Sequence, residues 1–229
     1  MFTMSFFQDL TKEEIKIFKK LNSPRKLQDF LNAMPINFEK KGETCLSPRR
    51  ALKENKAHCM EGALLAAAVL WFHGQKPLLL DLKTNDYDFD HVVALFQRQG
   101  HWGAISKTNH AVLRYREPVY AAPRELAMSY FHEYFLDNGS KTLRSYSEPF
   151  DLSTLRTPRR GESKDEMPLV NGAKAKPCRW ISAEEDLWEI AEELDKSPHH
   201  QILDRKMTAY LRRADPIEIK AGKLTEWNS

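Results

Sequence analysis

The chain has few cysteines and no long apolar run, and both shortages exclude classes of protein. Its three cysteines, Cys45, Cys59 and Cys178, are too few for a disulfide framework, and an odd count leaves at least one thiol free. The longest apolar run, Ala63 to Phe72, is far shorter than the roughly 20 residues that span a bilayer. The first residues lack the order of a signal peptide. We therefore expect a cytoplasmic protein with reduced cysteines and no membrane partner.

An excess of charge of one sign is also lacking. The chain carries 35 Lys and Arg against 32 Asp and Glu, a net charge of +3, with both signs spread along it. Binding to nucleic acid requires a concentrated positive surface, so we expect no nucleic-acid partner. The cysteines and histidines do not form a zinc-ligand spacing, and no metal site is expected. The sequence indicates no oligomeric state.

Helical signals dominate both ends of the chain. Thr11 and Glu14 form a predicted capping box, Ser23-Pro24 predicts a second helix start, and Pro123 predicts a later one that ends near residues 137–139. Near the C-terminus, Ser182 and Glu185 predict another capping box. We expect a main domain over residues 1–150, a polar loop or insert over 151–180 centred on 156–176, and a helical extension over 181–229 that packs on the main domain.

The middle of the chain changes from a helical to an extended pattern. Residues 59–72 (CMEGALLAAAVLWF) are apolar around almost the whole helical circumference, which predicts a central buried helix. Predicted strands follow at 77–82, 89–96, 102–106 and 111–115, separated by polar turns. These elements predict the α+β class, with the cysteine-bearing helix packed on an antiparallel sheet and flanked by further helices.

Cys59 and His91 are the residues whose positions suggest chemistry. Cys59 begins the central helix, where the helix dipole and free N–H groups favour a thiolate, the nucleophilic form of cysteine. His91 begins a strand and can reach the start of a helix packed across the sheet, where it could act as a base. The alternatives are a cysteine that is simply a small buried apolar residue and a histidine hydrogen-bonded to Asp90.

The segment SPRRALKENKAHCMEGALLAAAVLWFHGQKPLLLDL, followed by DHVVALFQRQGHWGAISKTN, resembles the transglutaminase-like core of the papain-like cysteine enzymes. The likeness covers residues 47–109 and rests on the order of a helix start, a polar turn, a cysteine-headed helix and a histidine-headed strand. It implies that Cys59 is the nucleophile and His91 the base of an acyl-transfer or hydrolysis site. The usual third residue of that core is an aspartate, and this sequence departs from the pattern by having Ser106 there.

Ser106 and Asn109 are the two candidates for the residue that orients the imidazole. A two-residue turn at Gln99-Gly100 puts Ser106 on the same side as His91, whereas a three-residue turn puts Asn109 there. A serine hydroxyl can accept the imidazole N–H but supplies no charge, and an asparagine amide orients the histidine in papain-like enzymes. The pattern slightly favours Ser106, and either residue could instead be an ordinary polar strand end.

Two functions from different classes are compatible with these residues. The first is cysteine-dependent acyl transfer or hydrolysis at an amide or thioester carbonyl of a peptide, protein or small acyl substrate, which requires no cofactor. The second is a catalytically degenerate papain-like fold that binds a peptide or a protein, suggested by the absent carboxylate. The histidine before the nucleophile, His58, could tune the thiol, but an exposed helix-start residue is the interpretation that we favour here.

Overall fold

A computed structural model describes residues 7–155 and 179–225 of the chain. The predicted polar segment over 156–176 and the third cysteine, Cys178, lie outside the described residues. The described parts form a mixed α+β structure with an antiparallel sheet, which confirms the predicted class. Its helices are α1 Lys12–Lys20, α2 Pro24–Ala33, α3 Pro48–Glu54, α4 Cys59–Phe72, α5 Pro123–Phe131, α6 Trp188–Lys196, α7 Arg205–Ala209 and α8 Pro216–Gly222.

Within the described ranges, the sheet contains seven strands, and every adjacent pair is antiparallel. Its spatial order is β4-β3-β2-β1-β5-β7, and β6 also pairs with β1. The late strand β7 joins the same sheet as the strands that precede residue 156. The strands are β1 Leu78–Lys83, β2 His91–Arg98, β3 His101–Ile105, β4 Arg116–Tyr120, β5 Ser145–Ser147, β6 Phe150–Asp151 and β7 His199–Gln201.

Helix α4 is the central helix that its composition predicts. Every residue from Met60 to Trp71 is buried, so the helix has no solvent-facing side over that length. Its glycine allows a close approach: a Cβ atom at Gly62 would lie 2.3 Å from the Cβ atom of Lys107. The first turn of α4 therefore packs directly against the chain that follows β3, which is where the site residues converge.

The two N-terminal helices begin where the capping signals predict. Thr11 and Glu14 form a reciprocal capping box at α1, and the Ser23 hydroxyl accepts a hydrogen bond from the Lys26 N–H at α2. The buried side of α2 includes Leu27 and packs against α4 and β3. These helices thus form a wall beside the start of the central helix.

The strand predicted at 111–115 is wrong. The next strand is β4, which begins only at Arg116, and the residues before it form bends. Side chains take the carbonyl groups that a strand would need for its ladder: the Ser106 hydroxyl bonds the Leu113 carbonyl, and the Arg116 guanidinium bonds the carbonyls of Val112 and Arg114. The apolar residues of this segment therefore do not indicate strand pairing.

Two helix boundaries also differ from the predictions. Helix α6 begins at Trp188 with no side-chain cap, so the box predicted at Ser182 and Glu185 is wrong. The Ser182 carbonyl instead accepts from Arg49, which ties this segment to α3. Helix α5 ends at Phe131, well before residues 137–139, and the Lys141 ammonium bonds the carbonyl of His132 at that end.

Among the described helices, none combines the length and the apolar composition that crossing a bilayer would require.

Candidate active site

Cys59 is the first residue of α4, and its side chain is partly exposed at the end of an otherwise buried helix. The apolar run that follows it fixes this position, because the burial of Met60 to Trp71 leaves only the two end residues of the helix, Cys59 and Phe72, partly exposed. The first N–H groups of a helix have no acceptor within the helix, and the dipole is positive at this end. The local structure therefore favours an anionic sulfur at Cys59.

His91 is the first residue of β2, where it pairs with Leu82 of β1 and is 5% exposed. Its Nε2 atom lies 2.7 Å from the Ser106 Oγ atom. The Ser106 hydroxyl donates its single proton to the Leu113 carbonyl at 2.6 Å, so its oxygen accepts from Nε2–H of the histidine. This arrangement fixes the tautomer and leaves Nδ1 as the nitrogen available to the thiol.

The hairpin between β2 and β3 explains why Ser106 is the residue that reaches His91. Arg98 pairs with His101, so the turn contains two residues, as the first of the two predicted registers requires. Gln99 and Gly100 have φ values of 51° and 80°, which is the left-handed pair of a type I′ turn. Ser106 follows the last residue of β3 in this register.

Gln28 of α2 holds the backbone of Ser106 in place. Its Oε1 atom accepts from the Ser106 N–H at 2.9 Å, and its Nε2 atom donates to the Ser106 carbonyl at 2.7 Å. A buried amide thus satisfies both backbone groups of one residue, as a neighbouring strand would. The α2 helix therefore contributes to the orientation of His91 through Ser106, a role that its apolar stripe does not reveal.

Asn109 is buried but is not a partner of His91. No described residue is a hydrogen-bond partner of its Nδ2 atom, and the contact of the His91 Nε2 atom is with Ser106. Of the two candidates from the sequence, the structure brings Ser106 and not Asn109 to the imidazole.

His58 is the N-cap of α4, and its side chain is only 23% exposed, so the expectation of an exposed residue is wrong. Its Nε2 atom lies 2.9 Å from the Thr44 carbonyl and 3.3 Å from Glu61 Oε1. Its Nδ1 atom accepts a bond of 3.3 Å from the Met60 N–H, which completes the cap. A second imidazole therefore stands beside the first residue of the helix.

Glu61 is completely buried in the first turn of α4. Its carboxylate accepts from the Thr44 hydroxyl at 2.7 Å, the Leu46 N–H at 2.9 Å, the Asn37 amide at 3.0 Å and the His58 N–H at 2.9 Å. A buried carboxylate requires hydrogen bonds and an opposite charge to offset its lost hydration. Among the described residues, His58 is the one in an ion pair with it.

The two histidines control the ionisation of Cys59. Burial by itself would raise the pKa of the thiol, but hydrogen bonding from His58 and His91, together with their positive charges, lowers that pKa from 9.0 to about 5. The reciprocal effect is found at His58. Burial opposes its charged form, but hydrogen bonding and attraction to the Cys59 thiolate, with a contribution from Glu61, raise its pKa from 6.5 to about 9.

The other described cysteine, Cys45, behaves in the opposite way. It is fully buried, and burial, followed by the negative charge of Glu61, raises the pKa of its thiol to about 12. A thiol in this state is neutral and unreactive at neutral pH. The difference between Cys59 and Cys45 shows that the environment at the start of α4 is specific to one cysteine.

A large surface depression of the described chain lies away from Cys59 and His91. It has a volume of about 680 Å³ and lies near the opposite end of α4, where it is lined by Gly74, Leu78 and Phe96 among others, and no residue of the site contributes to it. The length of α4 places it roughly 20 Å from Cys59. We assign no chemistry to the depression, because perturbed ionisable groups meet at Cys59 and not there.

The acyl transfer that the sequence predicts for this site should fall by roughly 10- to 100-fold when Ser106 is replaced with alanine, because His91 loses the acceptor that fixes its tautomer. The effect is smaller than the loss of a triad carboxylate, since a hydroxyl carries no charge. Asn109→Ala is the matched control and should change turnover by less than about twofold. Steady-state kinetics with an activated acyl ester measures both, and a greater loss in Asn109→Ala would contradict this orientation of His91.

No protein-family model matches the sequence, and no curated protein is significantly similar to it. The chemistry of the site is therefore inferred from the residues and their geometry.

Proposed function

We propose that this chain is a cysteine-dependent acyl-transfer enzyme or hydrolase with a papain-like, transglutaminase-like core. The observation that carries the proposal is the position of Cys59 at the start of a buried helix with two imidazoles as its neighbours, which lower the pKa of the thiol to about 5. A thiol with that pKa is almost entirely thiolate at pH 7, and the thiolate is the nucleophilic form. The substrate class is an amide or thioester carbonyl of a peptide, a protein or a small acyl compound.

The first half of the reaction forms an acyl-enzyme. The Cys59 sulfur attacks the carbonyl carbon, a C–S bond forms, and one electron pair moves to the carbonyl oxygen. The Cys59 N–H at the helix start stabilises this oxyanion. The oxyanion pair then re-forms the carbonyl double bond, and the bond from the carbon to the departing nitrogen or sulfur breaks. His91, which has taken the thiol proton on Nδ1, donates that proton to the departing atom.

The second half returns the enzyme to its starting state. The Nδ1 atom of His91 takes a proton from water or from an acceptor amine, whose oxygen or nitrogen bonds the acyl carbon. The C–S bond then breaks, and Cys59 leaves as the thiolate with the proton on His91. Throughout both halves, Nε2–H stays on the Ser106 hydroxyl and keeps Nδ1 directed at the reacting atoms.

A binding module remains the second candidate, and a specific observation favours it. The partner of His91 is the uncharged Ser106, so the imidazolium has less support than in a triad with a carboxylate. A protein that only binds a peptide at the same site would need no proton transfer at Cys59.

A cytoplasmic location stays a prediction, and the reduced thiol that the proposed enzyme needs is consistent with it.

The experiment that tests the proposal is detection of the acyl-enzyme. The purified chain is mixed with an activated ester or a thioester, quenched in acid, and measured by intact mass, and the modified peptide is then identified after digestion. We expect one acyl group on Cys59 that hydroxylamine removes. If neither acyl donor modifies Cys59 in a chain whose Cys59 thiol is shown to be free, the enzymatic function is contradicted. The binding function is then the remaining candidate.

A further inference from the structure

We propose that His58 is a second catalytic imidazole, which contacts the Cys59 sulfur and is protonated while that sulfur is a thiolate, with Glu61 as its counter-ion. This inference rests on the proposed acyl-transfer function. His91 has no carboxylate partner, but the second histidine of the site, His58, has one in Glu61.

The position of His58 follows from its role in the helix. As N-cap, it precedes the nucleophile directly, and the bond from its Nε2 atom to the Thr44 carbonyl at 2.9 Å fixes the ring. This leaves Nδ1 on the side of the helix start, where the Met60 N–H and the Cys59 side chain lie. In the protonated ring, Nδ1–H donates to the thiolate and the weak bond of 3.3 Å from Met60 is released.

The charges around His58 favour its protonated state. Glu61 faces it from the same helix at 3.3 Å, Glu39 faces it from the preceding loop at 3.8 Å, and the Cys59 thiolate lies beside it. Four donors hold Glu61, three from the connection between α2 and α3 and one from the His58 backbone, so its carboxylate cannot turn away. No described ammonium or guanidinium group forms an ion pair with either glutamate in this cluster.

Two imidazoles allow two tasks to be separated. His91 must gain and lose a proton in each cycle, and while it is neutral it gives the sulfur no cationic partner. His58 does not carry that proton. Its protonated ring, paired with Glu61, lies beside the sulfur as the C–S bond breaks, and its positive charge favours departure of Cys59 as the thiolate. Glu61 acts through His58 and is a positioning residue. This division explains how an uncharged residue, Ser106, suffices at His91.

The test compares the pH dependence of Cys59 alkylation in the Cys178→Ser background, with modification of Cys59 followed by peptide mass. His58→Asn is the chosen variant, because asparagine is a good N-cap but does not titrate. We expect the inflection to move from about 5 upward by about one to two pH units. His73→Asn, which changes the histidine at the other end of α4, is the matched control and should leave the inflection unchanged.

A reciprocal measurement guards against an indirect effect of the substitution on folding. The His58 imidazole, followed by NMR in the otherwise unaltered chain, should titrate near pH 9, and Cys59→Ser should lower that value because the anion is gone. Two results would overturn the inference. One is an alkylation profile of His58→Asn that superimposes on the parent profile, and the other is a His58 pKa that does not change in Cys59→Ser. A different result would contradict the proposed function alone: no acyl-enzyme forms, although the alkylation profile still depends on His58.

Discussion

Replacing Cys59 with serine is expected to lower acyl-transfer turnover by on the order of 10⁴-fold or more. The two histidines that lower the pKa of the thiol to about 5 cannot ionise an alcohol to the same extent, because its intrinsic acidity is far weaker. The hydroxyl therefore stays neutral and is a poor nucleophile. The measurement is the steady-state rate of acyl transfer from an activated ester, with the uncatalysed rate subtracted.

Cys45→Ala provides the control for this substitution. Cys45 is buried, and its raised pKa of about 12 predicts an unreactive thiol, so turnover should change by less than about twofold. Comparable losses in both variants would indicate a general effect of cysteine substitution on folding. Full turnover in Cys59→Ser would contradict the assignment of the nucleophile.

The second large effect is expected for His91→Ala, which should reduce turnover by about 10²- to 10⁴-fold. The variant lacks the group that transfers protons to the leaving group and from the acceptor. With an activated ester, whose leaving group needs no proton, acylation should persist while deacylation slows. We therefore expect the acyl-enzyme to accumulate, which intact mass measures directly.

His101→Ala is the matched control for His91→Ala. His101 also begins a strand, but it lies exposed at the hairpin turn. Among the described residues, its imidazole contacts only the Gln99 carbonyl. Its removal should leave both the turnover and the amount of acyl-enzyme unchanged. A His91→Ala chain that turns over as fast as the parent would show that another group moves the proton.

The parts of the fold that local signals specify were predictable. The α1 capping box and the apolar helix α4 agree with the sequence because their determinants lie within a few residues of each other. The sequence allowed a two-residue or a three-residue turn between β2 and β3. The structure has the two-residue turn at Gln99-Gly100, with left-handed φ values at both residues. This register is what brings Ser106 beside His91.

The errors occur where distant side chains override a local pattern. The residues before β4 are rich in strand-forming types, but the Arg116 guanidinium and the Ser106 hydroxyl bond their carbonyls. The start of α6 is similarly fixed from a distance: Asp186 accepts from the Cys45 N–H and from Arg50, so the helix begins only after these contacts. No local motif encodes such bonds.

The sequence also contained an unused signal for the second histidine. Glu61 is the single charged residue in the otherwise apolar segment 59–72, and a charge there requires buried partners. Its spacing of three residues from His58 matches that of a capping box. Gln28, by contrast, has no distinguishing feature in the sequence, because its value comes from a contact with Ser106 that spans 78 residues.

The most direct test of the account is the pH dependence of Cys59 alkylation in the Cys178→Ser chain. A pKa near 5 makes Cys59 about 99% thiolate at pH 7, so the rate should be level at neutral pH and fall only as the pH drops through about 5. An ordinary thiol, with a pKa of 9.0, would be about 1% ionised at pH 7, and its alkylation rate would keep rising with pH through about 9. An inflection near 5 is the predicted result, and an inflection near 9 would contradict the existence of the activated cysteine.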